Sequence, residues 1–170
     1  MSELGFVFHS ESCIQCHACE AACKSWRQLE QGLKWRHVYG LWHGSFPCTT
    51  LSTFSVSCMH CSTPACVEAC PSGAIIKRET DGLVLQDRAL CTGCRMCYDA
   101  CPVGAPQFGA DGTMQKCDFC CSCMHTDGGR AICVRACPTG ALEQAQLSAA
   151  QKIAAENAAL EQLRSAVKKV

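Results

Sequence analysis

Cysteine spacing is the feature of this sequence that most restricts how the chain can fold. Nineteen of the 170 residues are cysteine, and the spacing C-x2-C-x2-C-x3-C, with some intervals lengthened, recurs four times along the chain. The four groups are Cys13, Cys16, Cys19 and Cys23; Cys58, Cys61, Cys66 and Cys70; Cys91, Cys94, Cys97 and Cys101; and Cys117, Cys120, Cys133 and Cys137. A chain of this kind must be organised around whatever these thiols bind.

Three kinds of site use closely spaced cysteines: disulfides, zinc sites and iron–sulfur clusters. Disulfide scaffolds are typical of short secreted chains, and the first ten residues show no export signal. Structural zinc usually takes two C-x2-C pairs separated by a spacer. The third group, followed by Pro102, matches the bacterial ferredoxin run C-x2-C-x2-C-x3-C-P residue for residue. The sequence therefore predicts four 4Fe–4S clusters.

Two local patterns allow other assignments. Cys13, Cys16 and His17 also match the C-x-x-C-H pattern of c-type haem attachment. Haem would leave Cys19 and Cys23 without a role, so we expect His17 to be a loop residue. In the fourth group, Cys120 and Cys123 form a second C-x2-C pair, and this choice stays open on spacing alone.

Composition indicates a small conventional core. The hydrophobic fraction of 48% includes the cysteines, and aromatic residues make up only 6%. Cluster binding is therefore expected to supply much of the folding free energy. We expect Cys48, outside the four groups, to be a small buried apolar residue.

An internal repeat shows how each group is built. The pattern A-C-P-x-G-A occurs at residues 69–74, 100–105 and 136–141, and predicts a loop, one or two helical turns, a bend and a short strand. Residues 74–78 and 83–86 flank Asp81-Gly82, which predicts a β-hairpin between groups two and three. The fold class is therefore α+β, built from bacterial-ferredoxin-like βαβ modules.

The four groups can pair in a nested or a sequential order. The hairpin favours an inserted module at residues 57–106, containing groups two and three, within a split module at residues 1–56 and 107–145. Sequential pairing remains the alternative. Residues 146–170 lack Gly and Pro and predict a C-terminal helix, packed either on a partner or on its own chain.

The longest cysteine-poor connection, residues 24–57, contains Trp26, Trp35 and Trp42. These rings either form a docking surface or cover the clusters and exclude water, and we favour the second interpretation. Lys24, Lys116 and Arg95 adjoin cysteines, where positive charge would raise a cluster's reduction potential. Each could equally be an ordinary solvated charge.

Several function classes are excluded by what the sequence lacks. It has no nucleotide-binding glycine loop, no G-x-S-x-G and no H-E-x-x-H, and no apolar run long enough for a membrane span. The formal net charge is +0; four bound clusters would bring it to roughly −8, which disfavours nucleic-acid binding. The chain is expected to conduct electrons without catalysing a reaction.

The motifs resemble those of a known family. The segments that carry the resemblance are CMHCSTPAC (residues 58–66), CPSGA (70–74), CTGCRMC (91–97), CPVGAPQ (101–107) and KCDFC (116–120). They resemble the iron–sulfur (B) subunits of the dimethyl-sulfoxide reductase family of molybdopterin oxidoreductases.

The resemblance implies an electron-transfer subunit with two interleaved ferredoxin-like modules and a large molybdenum or tungsten bis-pterin catalytic partner. Electrons would come from or go to a membrane anchor subunit or a soluble donor. The chain would then be cytoplasmic, or carried with an exported partner to the outer face of the cytoplasmic membrane. The alternative is a free polyferredoxin or a hydrogenase-type carrier.

The resemblance also implies four ligand sets, and Cys97, which some relatives replace, is present. Carried over position by position, set A is Cys13, Cys16, Cys19 and Cys137; set B is Cys23, Cys117, Cys120 and Cys133; set C is Cys58, Cys61, Cys66 and Cys101; and set D is Cys70, Cys91, Cys94 and Cys97.

Overall fold

The computed structural model describes residues 2–122 and 129–167. Cys123, the alternative member of group four, lies outside the described residues. In the described part the strands are β1 (Glu3–Phe8), β2 (Arg36–Ser45), β3 (Cys48–Ser57), β4 (Ile75–Lys77), β5 (Val84–Gln86), β6 (Gln107–Phe108), β7 (Met114–Gln115) and β8 (Leu142–Leu147). The helices are α1 (Ala18–Trp26), α2 (Ala65–Glu68), α3 (Met96–Asp99), α4 (Ile132–Arg135) and α5 (Ala149–Val167).

The strands form separate two-stranded antiparallel pairs. The first and last strands, β1 and β8, pair with Phe6 opposite Gln144, which brings group one beside group four. The predicted hairpin is confirmed: β4 pairs with β5, with Ile75 opposite Gln86. The remaining pairs are β2 with β3 and β6 with β7.

Proline sets the length of the helices that follow the cysteine loops. The helices α2, α3 and α4 have four residues each, and a Cys-Pro pair follows each of them closely. Proline disfavours helical geometry at the preceding residue and cannot donate a backbone hydrogen bond. Group one has Lys24 after Cys23 in place of proline, and its helix α1 continues to Trp26 over nine residues.

The main core lies between the β1–β8 pair and the β4–β5 hairpin. Its apolar members include Leu4, Phe6, Leu83 and Phe119, and the rings of Phe6 and Phe119 stack with centroids 4.3 Å apart. Cysteines complete this cluster and a second, smaller one. The core is therefore small and shares its surface with the candidate ligands.

The C-terminal helix packs on its own chain. α5 lies against β1 and β8, and Lys152, only 1% exposed, donates from Nζ to Glu3 Oε2 at 2.6 Å. Glu156 on the same helix accepts a hydrogen bond from the Ser62 backbone amide at 2.9 Å. Across residues 2–122 and 129–167, no helix combines the length and the apolar character that crossing a bilayer requires.

The cysteine-poor connection contains a long hairpin that the sequence did not predict. β2 and β3 have ten residues each and pair along their whole length. Trp42 is 68% exposed and Trp26 47% exposed, so the interpretation that these rings cover the clusters is wrong for both; Trp35 alone packs against the core. Cys48, expected to be buried, is exposed next to the hairpin turn, because this end of the hairpin extends away from the core.

Candidate metal centres

Each cysteine group begins with a loop that contains a left-handed residue. The second inner position of the first C-x2-C is left-handed in every group: Gln15 (φ 55°), His60 (φ 50°), Gly93 (φ 72°) and Phe119 (φ 62°). A left-handed residue in such a turn directs neighbouring backbone N–H groups to one side, which forms a nest for anions. One such amide, that of Phe119, lies 3.4 Å from the Cys117 Sγ.

Two of the predicted ligand sets each surround a cavity near the surface. The cavity of set A is lined by Cys13, Cys16 and Cys19 from group one and by Cys137 from group four. The cavity of set D is lined by Cys91, Cys94 and Cys97 from group three and by Cys70 from group two. In both, three closely spaced thiols are completed by a cysteine from another group.

The thiols of set B lie close together in the interior. Burial, together with the nearby thiols of Cys133 and Cys120, raises the pKa of Cys23 to about 12. Burial also raises the pKa of Cys117 well above its ordinary value, and Cys133 and Cys23 act in the same direction. Such thiols are protonated at neutral pH, so metal binding must displace their protons.

The thiols of set C are likewise neighbours. Burial raises the pKa of Cys61 to about 12, with contributions from Glu156, Cys58 and Cys101. Burial raises the pKa of Cys66 to about 11, and Cys58 and Cys101 also raise it.

The donor chemistry of the four sets fits iron–sulfur clusters. No disulfide joins the cysteines among the described residues, and each predicted set consists of four cysteine thiols. In the same part of the chain, no group of three or more His, Cys, Asp or Glu side chains is arranged to hold a single metal ion. Four thiolates around one volume are the ligands that a 4Fe–4S cluster takes.

Electrostatic interactions between thiols link the predicted sets pairwise, A with B, B with C and C with D. Cys19 of set A interacts electrostatically with Cys133 of set B. Cys117 of set B interacts with Cys58 of set C, and Cys66 of set C with Cys97 of set D. The two end sets each include an exposed cysteine, Cys16 and Cys94.

In each end set, the cysteine that comes from the paired group contacts a hydroxyl two residues further along the chain. Cys70 Sγ lies 3.6 Å from Ser72 Oγ, and Cys137 Sγ lies 3.7 Å from Thr139 Oγ1. Burial alone would raise the pKa of Cys70, but hydrogen bonds from Ser72 and from backbone amides outweigh it and leave the pKa lowered. The pKa of Cys137 is lowered in the same way, despite burial, by Thr139 and backbone amides.

The cations singled out in the sequence lie in three different settings. Lys116 is buried and donates from Nζ to the Val84 and Cys117 carbonyls. Lys24 donates to the Glu30 and Leu33 carbonyls at 2.6 and 2.9 Å. Arg95 is exposed, with its guanidinium carbon 5.1 Å from the Phe108 ring centroid.

Sequence reasoning missed two buried polar residues near the cysteines. Arg36 begins β2 and is 2% exposed. His60 is fully buried, and its Nδ1 accepts from the Val84 amide at 3.1 Å. Burial, with the charges of Lys116 and Lys152, holds the pKa of His60 well below its usual range. The position of His60 inside a C-x2-C loop is a signal that could have identified it. Arg36 has no such signal, because the nearest member of the four groups, Cys23, is 13 residues away.

Comparisons with known proteins match most of the chain. Residues 49–147 match a family described as a 4Fe-4S dicluster domain, and residues 10–26 match a 4Fe-4S binding domain. The chain is 43% identical over 154 residues to the probable anaerobic dimethyl sulfoxide reductase chain YnfG of Escherichia coli (strain K12), covering 84% of this chain and 73% of that protein.

Two further relatives extend the similarity. The B polypeptide of anaerobic dimethyl sulfoxide reductase from the same strain is 41% identical, with the same coverage of 84% and 73%. The B polypeptide of sulfite dehydrogenase from Allochromatium vinosum is 36% identical to this chain over 163 residues. The match covers 83% of this chain and 68% of the relative.

Proposed function

This protein belongs to the family of iron–sulfur subunits that includes the B polypeptide of anaerobic dimethyl sulfoxide reductase, and we propose that it relays electrons for a molybdenum-containing catalytic subunit. The observation that supports this proposal is that thiols of neighbouring predicted sets interact electrostatically: Cys19 with Cys133, Cys117 with Cys58 and Cys66 with Cys97. The chain itself is the electron-transfer subunit and not the catalyst.

We assign one 4Fe–4S cluster to each set. Set A is Cys13, Cys16, Cys19 and Cys137; set B is Cys23, Cys117, Cys120 and Cys133; set C is Cys58, Cys61, Cys66 and Cys101; and set D is Cys70, Cys91, Cys94 and Cys97. The lining of the two end cavities supports sets A and D, and the mutual effects of buried thiols support sets B and C. Each assigned set draws its fourth cysteine from the group that it pairs with.

Pairing of this kind corresponds to two interleaved ferredoxin-like modules. The split module comprises residues 1–56 and 107–145, and it is supported by the β1–β8 pair and by packing of α1 against α4. The inserted module comprises residues 57–106, and it is supported by the β4–β5 hairpin and by packing of α2 against α3. Residues 146–170 would be the C-terminal helical extension.

The protein contributes ligands, shielding and access. A 4Fe–4S cluster, when bound, takes up and releases one electron at a time. Phe6, Leu83 and Phe119 fill the space beside the inner cysteines and keep water away from them. Exposure of Cys16 in set A and Cys94 in set D leaves the two ends of the row open to partners, so electrons enter at one end and leave at the other.

The partners follow from this two-ended arrangement. One end would face the molybdopterin catalytic subunit, and the other a membrane anchor subunit or a soluble donor. The chain would share the location of its catalytic partner, in the cytoplasm or at the outer face of the cytoplasmic membrane.

Anaerobic purification from the native source tests the function. We expect about sixteen iron and sixteen sulfide per chain, together with a stoichiometric large subunit that contains molybdenum or tungsten. A monomeric carrier without such a companion would contradict the catalytic partner, and a colourless, iron-free chain would contradict the relay itself.

The ligand sets are tested by a pair of cysteine variants. Cys97→Ser should lower the iron content by about one to four atoms per chain and remove or alter one of four paramagnetic centres. Cys48→Ser, at an exposed cysteine outside the four sets, should leave both unchanged. Equal iron content in the two variants would contradict the assignment of Cys97.

A further inference from the structure

Arg36 places a buried positive charge between the first two cysteine sets. Its side chain is buried at the start of β2, and the chain from residue 37 to residue 57 contains no Asp, Glu, Lys or Arg. Burial of a lone charge is costly unless the charge is compensated. The cost must therefore be offset by the groups that Arg36 contacts.

Two hydroxyls and an aromatic ring hold the guanidinium. Nη1 donates to Ser55 Oγ at 3.1 Å and Nη2 donates to Ser57 Oγ at 2.9 Å. The guanidinium carbon lies 4.5 Å from the centroid of the Phe6 ring. Within the described residues, no carboxylate is within ion-pair distance of Arg36, so these contacts orient its charge without neutralising it.

Cysteines from two sets would supply the missing negative charge once they bind clusters as thiolates. The Ser55 hydroxyl that accepts from Arg36 Nη1 also lies 3.6 Å from Cys19 Sγ of set A, and the charge of Arg36 acts to lower the pKa of Cys19. It also interacts with three members of set B, namely Cys23, Cys117 and Cys133. Both sets carry thiolates when a cluster is bound, and each reduction adds one further negative charge to its centre without a proton. A fixed cation at the junction stabilises that added charge.

We propose that Arg36 is a positioning residue that favours reduction of the two centres held by sets A and B relative to those held by sets C and D. This inference rests on the proposed function, since it requires clusters in those sets. An electron arriving at either centre is stabilised by the guanidinium, which keeps its proton throughout. Arg36 thereby adds its own contribution to the difference in reduction potential between these two centres and those of sets C and D.

Redox titration of the anaerobically purified holoprotein, followed by electron paramagnetic resonance, tests the proposal. Arg36→Gln should make reduction of two of the four centres at least tenfold less favourable, which is about 59 mV for one electron, and leave the other two within threefold. Arg36→Lys, which keeps the charge, should stay within threefold at all four. Arg88→Gln removes an exposed arginine that pairs with Asp111. It is the control for loss of a surface charge, and it should leave the centres of sets A and B within threefold.

A second pair of variants neutralises the charge while Arg36 stays in place. Ser57→Asp puts a carboxylate where the Ser57 hydroxyl accepts from Nη2, and should shift the same two centres downwards as Arg36→Gln does. Because residue 57 precedes Cys58, the carboxylate should also lower the potential of the set C centre, which Arg36→Gln leaves unchanged. Ser57→Asn, of the same size and without charge, should shift them less than threefold. If Arg36→Gln loses iron, this pair of variants still tests whether the charge of Arg36 affects the potentials of the two centres.

The outcomes separate the two proposals. Wild-type protein without clusters would overturn the proposed function, whereas full iron with changes below threefold in both charge-neutralising variants would overturn only the role of Arg36. Loss of iron from both of those variants, while Arg36→Lys and Ser57→Asn keep theirs, would make Arg36 an assembly residue and overturn its redox role.

Discussion

At the scale of single residues, the left-handed position in each cysteine loop is occupied in two different ways. Gln15, His60 and Phe119 adopt positive φ with a side chain, although this conformation costs L-residues roughly 1 kcal/mol. Gly93 is the exception. A Cβ at Gly93 would stand 2.7 Å from the carbonyl oxygen of Gly112. A side chain at this position would therefore clash with the backbone, in addition to having an unfavourable φ.

We therefore predict that Gly93→Ala disrupts the loop of set D. The β-carbon can be accommodated only if the backbone around Gly112 moves, which shifts Cys91 and Cys94 relative to Cys97. We expect iron content to fall by up to about four atoms per chain, measured by iron analysis of anaerobically purified protein.

Gly104→Ala is the matched control for this substitution. Gly104 also has positive φ (61°), but a Cβ added at this position would have no heavy atom within 4 Å. This variant should keep its iron and lose only about 1 kcal/mol of stability. Equal iron loss in both variants would show that φ, and not the contact with Gly112, limits position 93.

The residues that could be predicted from the sequence are those whose neighbours are local. Three cysteines of each group stand within a few residues of one another or in paired C-x2-C and C-x3-C runs, so their proximity follows from spacing. Arg36 reaches the cysteines only because β2 and β3 pair and place it over Phe6. No local pattern indicates such a contact.

At the scale of elements, turn residues made the helices and the short hairpin predictable. Proline after Cys70, Cys101 and Cys137 marks the end of each four-residue helix, and Asp81-Gly82 marks the β4–β5 turn. The β2–β3 hairpin was missed because its strands are rich in Ser, Thr and Gly and lack a sustained apolar alternation. The C-terminal helix was predicted, but its packing was not, because Lys152 acts through a long-range contact.

We predict that Lys152→Ala loosens α5. Lys152 is buried and paired with Glu3, which also pairs with Lys77 at 2.7 Å. Loss of one partner should destabilise the docking of α5 by about 2 kcal/mol, or more than tenfold in its opening equilibrium. Hydrogen–deuterium exchange of the α5 amides measures this change, and Glu161→Ala, at an exposed position of the same helix, should leave it unaltered.

The pH dependence of this effect has a defined sign. Burial raises the pKa of Glu3, but hydrogen bonds and charges from Lys152 and Lys77 outweigh burial and leave the pKa lowered. A lowered pKa in the folded state gives stability that is complete above the ordinary glutamate pKa of about 4.3 and is lost as pH falls through the folded value. The difference between wild type and Lys152→Ala should therefore be constant from about pH 6 to about pH 8. A marked change within that range would assign the stabilisation to another group.

At the scale of the whole molecule, the protein has few means of folding without its metal. Among the described residues, β4, β5, β6 and β7 have two or three residues each, and α2, α3 and α4 have four. Helices shorter than about 12 residues and isolated two-stranded hairpins are marginal in water. Cysteines are members of both groups of buried apolar side chains. The packing of these two groups therefore depends on whether their cysteines hold metal.

Removal of iron should therefore unfold most of the chain at once. In the apo form, the thiols of Cys23 and Cys61, whose pKa values burial raises to about 12, take up protons and no longer connect the groups. We expect hydrogen–deuterium exchange after anaerobic chelation to show loss of protection in α1, α4 and the β1–β8 pair together, with recovery on reconstitution with iron and sulfide. The control is protein that is exposed to the chelator but still contains its roughly sixteen iron atoms. Native protection of the β1–β8 pair in fully iron-free protein would mean that Leu4, Phe6 and Phe119 form a sufficient core, and that the clusters are held by a fold that forms without them.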